Sequence, residues 1–105
     1  MKNFKKSFTC DVCGKTITYP NFRIEWGYTK KPHTKNAAYD FIQVCHEDCC
    51  YGINDPSKYP CTIGDIIFDQ CGYTAECTYE RLDELAEENP ALSLDIQNIK
   101  DEIFK

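Results

Sequence analysis

Two groups of soft metal ligands constrain this chain more than anything else in it. The first is Cys10-Asp-Val-Cys13, and the second is the run Cys45-His46-Glu47-Asp48-Cys49-Cys50, about thirty residues later. A tetrahedral zinc site of the finger or ribbon kind needs four donors, and neither group completes a shell by itself. The spacing therefore predicts a fold that brings the two groups together. The two-residue spacer between Cys10 and Cys13 lets both sulfurs point into one turn, where nearby amides stabilise thiolates. Gly14, directly after, supplies the open backbone angles of a tight turn.

The second group holds more donors than vacancies. His46 and Cys49 repeat the spacing of the first pair, whereas Cys45 with Cys49, or His46 with Cys50, stands one helical turn apart. The expected ligand set is Cys10, Cys13, His46 and Cys49. Cys45 and Cys50 are the alternates, and a histidine beside a four-cysteine site is the bland reading of His46. Cys50 otherwise reads as an inward-facing core thiol. Thiolates suit iron as well as zinc, but the short ferredoxin spacings are absent, so the expected metal is one structural Zn²⁺ per chain. Cys61, Cys71 and Cys77 lack a close chelating partner and are expected as buried core thiols, with a second metal site or a disulfide as alternatives.

Eight cysteines also suit an extracellular disulfide framework. Against this, the opening Met1–Cys10 carries positive charges with no apolar run behind them. A signal peptide is not expected, and the cytoplasm is the expected compartment. No apolar run reaches the roughly 20 residues of a membrane span. The net charge of −5 hides an asymmetry: residues 1–36 carry eight Lys/Arg against two acids, and residues 75–105 three against nine. The first part suits a phosphate backbone or an acidic partner, through Arg23, Lys30, Lys31 and Lys35, while the rest repels nucleic acid.

Phe22–Tyr28 alternates apolar and polar side chains, the period of a half-buried strand, and Tyr39–Cys45 is a second β-rich run. Together they predict an antiparallel hairpin whose long loop carries Lys30, Lys31, His33 and Lys35. Trp26 and Tyr28 read as core aromatics, with base stacking as the alternative. Turns follow over 53–60. Thr62-Ile-Gly-Asp65 has the spacing of a helix N-cap with an acid at N3, predicting a short helix that ends near Gly72. Thr74 or Thr78 caps a helix reaching Asn89, with Tyr79, Leu82, Leu85 and Ala86 on one side and an acidic opposite face. Pro90 stops it. Ser93 then caps a last helix on which Ile96, Ile99 and Ile103 share a face.

The predicted class is α+β. Cys10-x-x-Cys13, a hairpin, then Val44-Cys-His-Glu-Asp-Cys49 opening a helix resembles the treble-clef order of zinc-binding domains, over roughly residues 8–54. The His-x-x-Cys step also resembles that of RING and PHD-type fingers, but their regular additional pairs are missing. The resemblance thus implies only a one-zinc knuckle, with 1–54 as the zinc-binding part and 55–105 as the helical part of a single domain.

None of the common phosphate-binding, metalloprotease or serine-hydrolase motifs is present. His46-Glu47 fails the zinc-deaminase pattern, because the glutamate is adjacent to the histidine and no P-C-x-x-C follows. The expected function is a non-catalytic, zinc-stabilised accessory or regulatory module with a protein partner. A nucleic-acid-binding finger is the alternative. A thiol redox protein using Cys10 and Cys13 is the third reading.

Overall fold

The computed structural model describes residues 2–28, 34, 37–52 and 62–105. The predicted loop residues Lys30, Lys31, His33 and Lys35, the turns over 53–60, Cys61 and the side chain of Cys50 lie outside the described residues. In chain order the elements are β1 (Ser7–Thr9), β2 (Thr16–Thr18), β3 (Phe22–Tyr28), β4 (Phe41–His46), a 3₁₀ helix (Glu47–Gly52) and β5 (Thr62–Asp65). A π-helical turn (Ile66–Cys71), α1 (Ala75–Glu88), a 3₁₀ turn (Pro90–Leu92) and α2 (Ser93–Ile103) complete them. The architecture is α+β, antiparallel strands followed by two packed helices.

β1 and β2 form a small ladder with Phe8 opposite Ile17. The predicted hairpin is present as β3 and β4, and β5 adds to the other edge of β3 to give the order β4-β3-β5. On one face of β3, Phe22, Ile24 and Trp26 join Phe8, Ile17 and the helix residues Leu82, Leu85, Ile96, Ile99 and Ile103 in one core. The other face is polar yet covered: Glu25 is fully buried and accepts from Gln43 Nε2 at 3.0 Å and from the Cys45 thiol at 3.7 Å. Beside it, Arg23 pairs with Asp65 at 3.5 Å and Glu47 at 3.6 Å. β3 is thus buried on both faces, where alternation alone suggested one.

The helix expected from Thr62 is corrected by β5. Gly64 stands opposite Trp26, and a Cβ there would lie 2.8 Å from the indole Cζ2, so the bare backbone lets the ring lie against the strand. Asp65, expected as the N3 acid of a cap, instead accepts the Ile67 amide at 2.8 Å, the side-chain turn that aspartate favours. Helical winding begins only at Ile66 and ends at Cys71. Gly72 (φ 54) and Tyr73 (φ 65) then reverse the chain into α1. This reversal places Cys71 and Cys77 with Cα atoms 5.4 Å apart, joined as a disulfide, which corrects their expected role as free core thiols.

α1 starts after Thr74 and ends at Asn89, as its pattern indicated, with Thr78, Leu82 and Leu85 buried. α2 buries Ile96, Ile99 and Ile103, but Ser93 has helical angles and lies inside the helix; Leu92 takes the capping place. The chain's two ends meet through a bridge between Phe4 and Phe104, whose rings stack at 5.2 Å. Among the described residues no helix is long and apolar enough to cross a membrane.

Asn89 ties the helices to the sheet. Its Oδ1 accepts the Tyr39 amide at 2.8 Å and its Nδ2 donates to the Leu85 carbonyl at 3.1 Å, with only 3% of the residue exposed. Asn89→Ala strands the Tyr39 amide, so a loss of about 1–3 kcal/mol is expected in urea denaturation.

Candidate metal centre

Cys10 and Cys13 sit on the turn joining β1 to β2. The Cys10 amide donates to Lys15 O and the Gly14 amide to Cys10 O, both at 2.9 Å, and Gly14 closes the turn at φ 74. Asp11 docks this turn on β4: its amide donates to Val44 O, and its carboxylate accepts the Val44 amide, each at 2.8 Å. Burial, the larger influence, raises the pKa of Asp11, and the Val44 hydrogen bond opposes it. The docking carries the first pair to the end of β4, where His46 is the last strand residue. Cys49 follows in the 3₁₀ helix.

As a result, one donor atom from each of Cys10, Cys13, His46 and Cys49 lies within 4.8 Å of every other. The four form a cluster capable of coordinating a metal, and they are the four residues that spacing singled out. His46 Nδ1 is 3.3 Å from Cys13 Sγ and 3.7 Å from Cys49 Sγ. Zinc bonds of about 2.3 Å to sulfur and 2.0 Å to nitrogen at tetrahedral angles place such atoms roughly 3.5 Å apart. The observed distances bracket that value. On the far side of the ring, Nε2 lies 3.0 Å from the Thr16 carbonyl. A carbonyl only accepts, so Nε2 carries the hydrogen and Nδ1 turns its lone pair to the sulfurs.

The sulfurs differ in their surroundings. Cys10 is 1% exposed and accepts the amides of Val12 and Cys13 at 3.4 Å and of His46 at 3.5 Å. Burial opposes its charge, but the Cys13, His46 and Val12 amides outweigh it and lower its pKa to about 6. Cys49 goes the other way: burial, then the neighbouring Cys13 and Cys10 sulfurs, push it up to about 12. Three thiolates at this spacing need a cation to coexist, and a divalent ion held by these four residues would supply that charge and favour the deprotonated Cys49.

The remaining sequence candidates lie elsewhere. Cys45 faces the polar side of the sheet, towards Glu25, because it neighbours His46 on a strand and so points the opposite way. Arg23 faces Glu47 and Asp65. Trp26 is 4% exposed, and the Tyr28 hydroxyl donates to Ala37 O at 2.8 Å, so both aromatics belong to the packed interior and its edge. Two contributors were not evident from spacing. Asp11 carried a faint signal as a turn-forming residue inside the Cys-x-x-Cys spacer. Thr16 acts through its carbonyl, which leaves no mark on residue identity.

Comparison with protein-family models, curated proteins and solved structures returned no match.

Proposed function

We propose that Cys10, Cys13, His46 and Cys49 hold one structural Zn²⁺, and that the protein is a zinc-stabilised, non-catalytic interaction module. The observation that carries this reading is the convergence of three thiols with an imidazole whose tautomer is set by Thr16. Four protein donors close a tetrahedral shell, whereas a catalytic zinc keeps one position open for water or substrate. The chain order of turn, hairpin and second pair supports the treble-clef resemblance. In this reading the metal fastens two distant segments, and function lies on the surface. The exposed acidic side of α1, including Glu76, Glu80, Asp83 and Glu87, suits a basic protein partner.

Elemental analysis with native mass spectrometry on anaerobically purified protein tests the metal. One zinc per chain is the expected result. Iron with visible absorption would replace zinc by a redox-active centre, and the absence of any metal with the Cys10, Cys13 and Cys49 thiols free would overturn the reading.

A further inference from the structure

The β1–β2 ladder has a second end, opposite the cysteine turn, where the Tyr19 amide donates to the Lys6 carbonyl at 2.9 Å. There a groove of ≈570 Å³ opens, lined by Lys2, Phe4, Lys6, Tyr19, Tyr73 and Lys105, with Glu76 among the remaining residues. Its size falls in the range of small-molecule sites, about 300–1,000 Å³.

The lining combines two chemistries. Phe4, Tyr19 and Tyr73 give it an aromatic wall, with the Phe4 and Tyr19 rings 5.8 Å apart. Tyr19 is 43% exposed, and the only other large apolar side chain so exposed among the described residues is Leu94. Tyr73 reaches the groove from φ 65, a left-handed conformation that bulky residues rarely adopt. The second chemistry is cationic. Lys6 and Lys105 line the groove in a protein whose net charge is −5, while the Lys2 ammonium at its margin lies 4.3 Å from the centre of the Tyr79 ring, on the side of Glu76 and Glu80. Lys6 and Lys105 form no ion pair with a carboxylate of the described residues.

We infer that this groove binds a nucleoside phosphate, the base stacking on Tyr19 and the phosphate meeting Lys6 and Lys105. An aromatic face beside ammonium groups is the combination that holds a base together with its phosphate. An acidic protein repels a long polyanion, so the ligand is one nucleotide, free or at the end of a single strand. Glu76 and Glu80 stand together on the Lys2 side, away from Lys6, and so keep the phosphate towards Lys6. The inference is independent of the metal reading, because none of the four donors lines the groove.

Adenosine monophosphate, inorganic phosphate and a single-stranded tetranucleotide, each titrated into the isotope-labelled full chain and followed by NMR, test it. The expected result is saturable movement of the Lys6, Tyr19 and Tyr73 amides with adenosine monophosphate. Tyr19→Ala weakens that binding about tenfold and leaves phosphate binding alone. Lys6→Glu with Lys105→Glu weakens every probe, with the thermal midpoint unchanged because both side chains lie outside the core. Tighter binding of the mononucleotide than of the tetranucleotide identifies a free ligand, and the reverse identifies a strand end. The inference is overturned if these amides stay still at millimolar ligand, if the substitutions change nothing, or if phosphate alone binds as tightly as the nucleotide.

Discussion

Cys10→Ser is expected to abolish metal binding and loosen the β1–β2 turn, while Cys45→Ser leaves the metal in place. Both residues are buried cysteines, so a general cost of disturbing a core thiol would affect them alike. Their surroundings separate them. Cys10 receives three amides and lies with Cys13, His46 and Cys49; Cys45 donates to Glu25 on the opposite face of the sheet. A serine hydroxyl at position 10 is a poor zinc donor and leaves those amides without their charged acceptor. Three donors then face a cation that needs four. At free zinc 1,000 times its dissociation constant, the bound ion stabilises the fold by about 4 kcal/mol, and this is the loss expected. Cobalt titration, read by the thiolate charge-transfer band, reports the ligands, and urea denaturation with and without chelator reports the stability. Chelated wild type and Cys10→Ser should unfold near the same midpoint. Retention of cobalt by Cys10→Ser, or its loss in Cys45→Ser, would redraw the ligand set.

Gly64→Ala should carry the next largest effect, far from any charge. The new methyl would meet Trp26 Cζ2 at 2.8 Å, Cη2 at 2.9 Å and Cε2 at 3.0 Å. These are ring atoms of a side chain 4% exposed and packed edge-on to Tyr39, not the end of a flexible chain that can swing aside. Either the indole tilts or β5 lifts from β3. Overpacking of this kind costs about 1–3 kcal/mol, and Gly64→Val should cost more. Trp26 is the only tryptophan, so its fluorescence reads the site directly, and a shift to longer wavelength is expected as the ring gains water. The metal content should not change, since His46 pairs with Phe22 at the other end of β3. A Gly64→Ala protein with unaltered emission and midpoint would mean that the sheet yields freely there.

These two sites differ in how far the sequence announced them. Donor chemistry is local: cysteine and histidine at two-residue spacing have few other uses together, so the cluster could be chosen before the fold was known. The hairpin was equally readable, because Phe22–Tyr28 and Tyr39–Cys45 carry their own alternation. β5 was not. Thr62-Ile-Gly-Asp65 satisfies both a helix start and a short strand, and the decision comes from Trp26, distant in sequence, which needs a residue without a side chain beside it. Glu25 misled for a related reason. Alternation marked it as solvent-facing, but Gln43, Cys45 and the Arg23–Asp65 pair share its face and cover it. The Cys71–Cys77 bond depends on two successive left-handed residues, and no spacing rule anticipates a tyrosine in that conformation.

β5 also sets how much chain the protein needs. All four donor residues are present by Cys49, within the first half of the sequence. Yet the hydrogen-bonding edge of β3 from Glu25 to Tyr28 stays open until Thr62–Asp65 arrives to close it. An open strand edge beside a large indole invites the same edge of another molecule. During synthesis there is thus an interval in which all four donor residues exist but the sheet is still adhesive. The shortest chain that contains the donors and the shortest that covers its own edge are different lengths.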